Sequence, residues 1–189
     1  MNLLAHALLS GATPGVIVGG VMADWIKGPM DGGLPSEIAD GVRRHRKTDA
    51  FIDAHPITSQ LKRPLRDRWG RYSGVLVDMA YDFCLANDWK TFGSGTLEGF
   101  VGDVHGMIRR FLPLLPPSTA EVARHMITGE WILACRSWEG MGIALGRIAE
   151  RLRRPVPLEK AVADLQPLET PILAGFRSVF PEVVHHLRS

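Results

Sequence analysis

Helical periodicity runs through nearly the whole chain and limits its fold more than any other feature. Apolar residues recur at spacings of three and four, and no segment has the apolar–polar alternation and β-branched enrichment of a strand. The pattern predicts ten helices: Leu3–Leu9, Gly15–Lys27, Ser36–His55, Ile57–Trp69, Gly74–Asp88, Leu97–Leu115, one from Ser118 or Thr119 through Trp131, Trp138–Arg153, Leu158–Leu165 and Thr170–Leu187. We therefore expect an all-α fold, an irregular helical bundle.

Turn-forming residues set the expected boundaries between these helices. Ser36 is the predicted N-cap of the third helix, and Pro56 ends that helix because a residue before proline avoids the α region. Pro29–Gly33 is a predicted loop, and Gly129 a predicted break. The proline-rich C-terminal region predicts an appended helical pair. The length of 189 residues fits one domain covering 1–189.

Composition excludes several classes of protein. The formal net charge of +2 gives no reason to expect a nucleic-acid partner. Two cysteines, Cys84 and Cys135, cannot form a disulfide framework, and we expect buried, reduced thiols and a cytoplasmic location. The first 23 residues carry no charged side chain, but glycines and Pro14 interrupt them. We therefore expect neither a signal peptide nor a membrane span.

Basic residues are unevenly distributed along the chain. They form three clusters: Arg43, Arg44, Arg46 and Lys47; Lys62, Arg63, Arg66, Arg68 and Arg71; and Arg147, Arg151, Arg153 and Arg154. Such clusters are either solvated helix surface or a docking surface for an acidic partner, whose encounter rate they would raise.

Two pairs of polar residues stand four positions apart on predicted helices. His45 and Asp49 form one pair, and Asp78 and Asp82 form the other, within an otherwise apolar helix. Residues at i and i+4 lie on the same helix face, so each pair directs two groups to one point. Alternatives are a charged solvent face for the first pair and an ion pair with arginine for the second. Asp53 extends the first stripe and is a candidate to orient a ligand.

Two further candidates lie near the N-terminus, His6 in LLAHALL and Asp24 in VMADW. A lone histidine on an apolar helix is ordinarily a hydrogen-bonded core residue. Together, however, four apolar segments carry His or Asp at inward positions. Carboxylate and imidazole without thiolate suit Mn²⁺, Mg²⁺ or Fe²⁺ at least as well as Zn²⁺. Such an ion activates water and stabilises charge on a phosphoryl group.

One motif is misleading. Gly102–Gly106 spells the GDxHG sequence of calcineurin-like metallophosphoesterases, but it lies in a helical pattern and no GNH-type motif follows. We assign it no catalytic role.

Four segments together resemble the acyl carrier protein phosphodiesterases. They are MNLLAHALLSG, GGVMADWIKG, HRKTDAFIDAHP and DMAYDFCLANDW, and GEWILACRSWEGMGIALGRIAERLRRP resembles the C-terminal region of that family. The resemblance covers nearly the whole chain. It implies a fold related to HD-type phosphohydrolases, a Mn²⁺ cofactor, and hydrolysis of the diester joining 4′-phosphopantetheine to a serine of holo-acyl carrier protein. It also implies a role in fatty acid biosynthesis.

The resemblance and the pattern of polar residues together give a set of site residues. The expected metal ligands are Asp24, His45, Asp49, Asp78 and Asp82. The expected catalytic groups are His6, Asp24 and Asp82. The expected carrier-protein contacts are Arg43, Arg44, Lys62, Arg63 and Arg66.

The chain departs from the family pattern at two positions. Phe83 and Arg43 stand where histidines are expected, and neither side chain binds a metal. Two alternatives therefore stay open. One is a metal-dependent phosphohydrolase acting on a nucleotide or another small phosphodiester, and the other is a non-catalytic module that binds carrier protein.

Overall fold

The structure, a computed structural model, describes residues 1–27 and 33–188. Within these ranges the chain is helical and contains no strand, so the predicted all-α class is confirmed. The α-helices are α1 Leu3–Leu9, α2 Pro14–Met22, α3 Ser36–Ala54, α4 Pro56–Trp69, α5 Ser73–Asn87, α6 Trp89–Phe92, α7 Leu97–Phe111, α8 Pro117–Thr128, α9 Trp138–Ala149, α10 Val162–Leu165 and α11 Glu169–His186.

Short 3₁₀ segments connect or extend several helices. They are Ala23–Trp25, Gly70–Tyr72, Leu112–Leu114, Trp131–Arg136, Leu158–Ala161 and Gln166–Leu168. The predicted helices ending at Leu115 and Arg153 end earlier, at Phe111 and Ala149. The break predicted at Gly129 is confirmed: α8 ends at Thr128, and Glu130 has a φ of 48°. Most of the predicted loop Pro29–Gly33 lies outside the described residues.

Two boundary predictions are wrong for identifiable reasons. Ser36 is the first residue of α3 and makes no capping hydrogen bond, because Pro35 takes the N-cap position. Similarly, α8 begins at Pro117, before the predicted Ser118, since proline is well suited to a first helical turn. The residue-level position of a cap thus depends on backbone conformation as well as on side-chain type.

Helix α5 lies at the centre of the bundle. It packs against α1, α4, α9, α11 and the 3₁₀ segment Trp131–Arg136, and buries Leu76, Met79 and Tyr81 completely. Helix α11 packs against α3, α4 and α5, and its Phe176 is also buried. The C-terminal helix is therefore part of this core and is not an appended element.

Glycines bring α2 and α3 into close contact. A Cβ atom at Gly19 would overlap the carbonyl oxygen of Ile38, and one at Gly41 would overlap that of Val16. Only residues without side chains allow the two backbones to approach this closely. As a result, the carbonyl groups of α2 come within reach of side chains on α3.

The cysteines are buried, as composition predicted. Cys84 and Cys135 are buried free thiols, and burial raises the pKa of Cys84 to about 12. None of the described helices combines the length and the apolar character that a bilayer crossing requires.

Candidate metal centre

Two histidines and one carboxylate form the most compact cluster of potential metal ligands in 1–27 and 33–188. One ligand atom from each of His6, His45 and Asp49 lies within 4.8 Å of the other two. The Nε2 atoms of His6 and His45 lie 3.1 and 3.0 Å from the Asp49 carboxylate oxygens. The two imidazole rings stack with centroids 3.7 Å apart. The cluster thus has two nitrogen donors and one oxygen donor facing a common point.

Three helices hold this cluster in place. Helix α1 carries His6, and α3 carries His45 and Asp49 one turn apart. The close approach of α2 allows His45 Nδ1 to donate a hydrogen bond to the carbonyl oxygen of Gly20 at 2.8 Å. This bond orients the ring and directs Nε2 toward Asp49, the arrangement typical of metal-binding histidines.

Burial and charge affect the three groups differently. Burial lowers the pKa of His6 to about 4. Burial also acts to lower the pKa of His45, but the carboxylates of Asp24 and Asp49 outweigh it and raise that pKa to about 9. Burial acts to raise the pKa of Asp49, yet the nearby imidazoles hold it well below its usual range. At neutral pH His6 is therefore neutral, His45 is protonated and Asp49 is ionised.

One oxygen of the Asp49 carboxylate lacks a hydrogen-bond partner among the described residues. This atom, Oδ1, is buried and has no well-directed hydrogen bond from the described residues, although His6 Nε2 is close. That Nε2 atom instead lies 3.1 Å from the carbonyl oxygen of Met1. The α-amino group of Met1 is 3.7 Å from Asp49 Oδ1, too far for a hydrogen bond, so that oxygen and the two imidazole nitrogens fit a divalent metal.

Asp24 lies at the solvent-facing edge of the cluster. It sits in the 3₁₀ turn after α2, its side chain is 66% exposed, and Oδ1 is 3.4 Å from His45 Nε2. The hydrogen bond from His45 lowers the pKa of the Asp24 carboxyl, which is therefore ionised at neutral pH. Asp24 is the most exposed group of the cluster, since the Asp49 side chain is 37% exposed and both histidines are buried.

Asp78 adjoins the cluster but is bound to a different group. The α-amino group of Met1 lies 2.8 Å from Asp78 Oδ1 and 3.7 Å from Asp49 Oδ1. Burial raises the pKa of the Asp78 carboxyl, although the ammonium acts in the opposite direction. The charge of Asp78 is therefore balanced by the α-amino group in this structure.

Asp82 is buried beneath the start of α1. Its carboxylate accepts hydrogen bonds from the backbone N–H groups of Asn2, Leu4 and Ala5, at 3.1, 2.8 and 3.2 Å. Burial raises its pKa to about 6, although these donors and the ammonium lower it. Three amide donors at a helix N-terminus account for the position of this carboxylate. A role for Asp82 as metal ligand or catalytic group stays a prediction.

Comparison with known proteins identifies the family of the chain. The sequence profile described as acyl carrier protein phosphodiesterase matches residues 1–183. The chain belongs to the acyl carrier protein phosphodiesterase family. Proteins of that name from Photorhabdus laumondii, Enterobacter sp. (strain 638) and Klebsiella pneumoniae are 24%, 24% and 25% identical to it. The matches cover 88%, 97% and 97% of this chain and 84%, 96% and 96% of those proteins. No solved structure matches the chain.

Phe83 and Arg43, the two expected departures from the family pattern, contact residues outside the cluster. Phe83 stacks on Trp138 with ring centroids 4.2 Å apart, whereas its neighbour Asp82 faces α1. Arg43 is exposed and forms an ion pair with Asp40 at 2.5 Å. Neither residue belongs to the group of ligand atoms formed by the described residues, which consists of His6, His45 and Asp49.

The predicted carrier-protein contacts fall into two groups. Arg44 donates hydrogen bonds to the carbonyl oxygens of Leu9 and Leu187. Lys62 forms an ion pair with Asp53 at 2.6 Å. These side chains connect parts of the fold, and Asp53 faces α4 through this bond. Arg63 and Arg66 are exposed on α4 and form no ion pair within 1–27 and 33–188. These two arginines are the better candidates for contact with a partner.

Sequence reasoning missed two contributors to the centre. One is the α-amino group of Met1, which carries no side-chain signal. The other is the Gly20 carbonyl, which becomes available only because α2 and α3 pack through glycines. The Gly102–Gly106 motif lies within helix α7, as the helical pattern predicted.

Proposed function

We propose that this protein hydrolyses the phosphodiester between 4′-phosphopantetheine and a serine of holo-acyl carrier protein, releasing apo-carrier protein and 4′-phosphopantetheine. Membership of the phosphodiesterase family over residues 1–183 is the observation that carries the proposal. The relatives from Enterobacter and Klebsiella match it over 97% of this chain and bear the same name. We further propose one domain over 1–189, a cytoplasmic location consistent with two buried free thiols, and a role in fatty acid biosynthesis.

The proposed cofactor is a divalent metal held by His6, His45 and Asp49. Two nitrogen donors, a carboxylate and the unsatisfied Oδ1 of Asp49 support this assignment. The mixed nitrogen and oxygen set suits Mn²⁺, with Mg²⁺ or Fe²⁺ as alternatives. When bound, such an ion supplies an activated water and neutralises charge on the diester oxygens. Asp24 and Asp78 border the cluster and are candidates for additional ligands.

Asp24 is the proposed general base. Its carboxylate borders the cluster and faces solvent, so it can accept a proton from an attacking water at Oδ1 or Oδ2. His6 is proposed as a metal ligand and not as the acid for the departing serine oxygen, because its Nε2 belongs to the ligand cluster and burial lowers its pKa to about 4. Asp82 is further from solvent and supports α1, so we place its contribution in orienting His6.

The proposed substrate contact is electrostatic. Acyl carrier proteins are acidic, and the exposed guanidinium groups of Arg63 and Arg66 on α4 supply complementary charge. Such contacts raise the association rate and weaken with added salt.

The proposal is tested by incubating holo-carrier protein with the enzyme and Mn²⁺ and following the intact mass of the carrier protein. Conversion to the apo form with release of 4′-phosphopantetheine, and its arrest by a chelator, is the expected result. Absence of conversion with every divalent metal tried would refute the proposed reaction.

Activity toward small diesters with none toward holo-carrier protein would favour a small-molecule phosphohydrolase. A metal-free protein that binds carrier protein without turnover would favour a binding module.

A further inference from the structure

A cleft of about 210 Å³ opens directly beside the candidate metal centre. Asp24 lines this cleft and also contacts His45 Nε2 at 3.4 Å, so the two features share one carboxylate. Helix α9 contributes Ala144 and Ile148 to the lining of the cleft. A molecule in the cleft would therefore have one end next to the cluster.

Two tryptophans form the aromatic part of the cleft. The rings of Trp25 and Trp131 lie 6.4 Å apart at an angle of 50°. The guanidinium carbon of Arg151 lies 5.6 Å from the Trp25 ring and 6.0 Å from the Trp131 ring. Thr119 also fixes this wall by a hydrogen bond of 2.9 Å to the carbonyl oxygen of Trp25. Arg151 thus makes cation–π contacts with both rings and places a positive charge at the rim of the cleft.

We infer that this cleft binds the pantetheine arm of the substrate, with Trp25, Trp131 and Arg151 as positioning residues. The inference rests on the proposed function, because it concerns the substrate of that reaction. A folded carrier protein cannot enter a cleft of this size, whereas a slim chain can. The serine side of the diester therefore stays outside, and the pantetheine side lies inside.

The lining matches the chemistry of that arm. Pantetheine has a gem-dimethyl group, a hydroxyl and two amides along a narrow chain. Trp25, Trp131 and Ile148 offer apolar and aromatic surface to the methyl and methylene groups. Arg151 offers hydrogen-bond donors to amide or phosphate oxygens. This combination also suits a nucleotide, whose base would stack on a tryptophan, so a nucleotide serves as the competing probe.

The first test measures binding without catalysis. Metal-free protein is titrated with 4′-phosphopantetheine, AMP and inorganic phosphate by calorimetry. Binding of 4′-phosphopantetheine that is at least about tenfold tighter than that of AMP or phosphate, and that weakens about tenfold or more in Ala144→Phe and Arg151→Gln, is expected. Tighter binding of AMP, or equal binding by the variants and wild type, would overturn the inference. Arg153→Gln is the matched control, since Arg153 is exposed and lies outside the cleft lining.

The second test separates the cleft from the reaction. Ala144→Phe narrows the cleft and is expected to raise KM for holo-carrier protein about tenfold more than KM for bis(4-nitrophenyl) phosphate, which lacks the arm. Equal effects on both substrates would overturn the inference, and thermal melts establish that the variant is folded. Wild-type protein that binds 4′-phosphopantetheine but never converts holo-carrier protein would refute the proposed function and leave the cleft assignment standing.

Discussion

His45 has a different partner at each ring nitrogen, and this determines its chemistry. Nδ1 donates to Gly20, and Nε2 faces Asp24 and Asp49 at 3.4 and 3.0 Å. The carbonyl fixes the ring, and the carboxylates favour its protonated form. A metal that binds Nε2 must therefore compete with a proton for the same atom.

Replacing His45 is expected to abolish tight metal binding. In His45→Gln one of two nitrogen donors is lost, and we expect Mn²⁺ affinity to fall at least about 100-fold. Calorimetric titration of the purified, metal-stripped protein measures this. His125→Gln is the control, because His125 is exposed on α8 and should leave affinity unchanged. Equal affinity in His45→Gln and wild type would contradict the assignment.

Metal binding is expected to release about one proton at pH 7.5. The pKa of His45 is raised to about 9, so this imidazole is protonated there and must lose its proton, whereas His6, with a pKa lowered to about 4, is already neutral. Affinity should rise with pH up to about 9 and then level off. Calorimetry in buffers of different ionisation enthalpy counts the protons that are released. If no proton is released at pH 7.5, the metal does not displace the proton of His45.

For single residues, the sequence predicted several members of the candidate centre but not every contact that they make. The spacing of His45 and Asp49 placed both on one helix face, and the structure brings His6 and Asp24 to them. The same spacing linked Asp78 with Asp82, yet these carboxylates face the α-amino group and three backbone amides. Main-chain N–H groups are the same for nearly every residue type. The sequence therefore could not show whether Asp78 and Asp82 bind main-chain donors or a metal.

Helix α1 depends on a carboxylate from another helix. It has only seven residues, too few to be stable alone, and its first N–H groups are bound by Asp82 on α5. These hydrogen bonds to Asp82 hold α1 in place and thereby position His6 beside His45 and Asp49.

Removing the Asp82 carboxylate is expected to destabilise the protein without removing a metal ligand. Asp82→Ala leaves buried amides without acceptors and should lower the free energy of unfolding by about 3 kcal/mol. Denaturant unfolding measures this, and Asp40→Ala is an exposed control. Below the unfolding transition the variant should still bind Mn²⁺. Unchanged stability combined with lost metal binding would instead make Asp82 a ligand.

The glycine contact between α2 and α3 is expected to control both stability and the centre. A methyl group in Gly41→Ala overlaps α2, so unfolding free energy should fall by about 1–3 kcal/mol and Mn²⁺ binding should weaken as Gly20 moves from His45. Gly102→Ala is the control: its site in α7 is open, and alanine should stabilise that helix by about 0.5–1 kcal/mol. Chemical denaturation and calorimetry measure both. Equal effects of the two substitutions would contradict the packing argument.

Element positions followed from sequence more closely than element ends did. Hydrophobic periodicity predicted α1 as Leu3–Leu9, and the structure has the same bounds. The end of α9 at Ala149 differed from the predicted Arg153. Helix ends depend on tertiary contacts and local caps, which periodicity does not contain.

On the scale of the whole molecule, the centre joins segments distant in sequence. Contacts such as Met1 to Asp78 and Asn2 to Asp82 span about 80 positions and form only after α1 docks on α5. The sequence predicted the all-α class, which the structure confirms, and a set of candidate site residues, whose roles stay a prediction. It could not predict that the cleft between Trp25 and Arg151 adjoins the cluster, because their proximity arises from the packing of α9 in the folded chain.

In this account the His6–His45–Asp49 cluster holds the metal that is required to hydrolyse the phosphodiester of holo-carrier protein. Metal content and conversion of holo- to apo-carrier protein are measured on the same preparations of wild type, Asp49→Asn and Asp53→Asn. Asp53 is the matched control, one turn further along α3 and bound to Lys62. We predict that Asp49→Asn loses both metal and conversion, while Asp53→Asn retains both. Full conversion by a folded Asp49→Asn variant, or its loss only in Asp53→Asn, would contradict the claim.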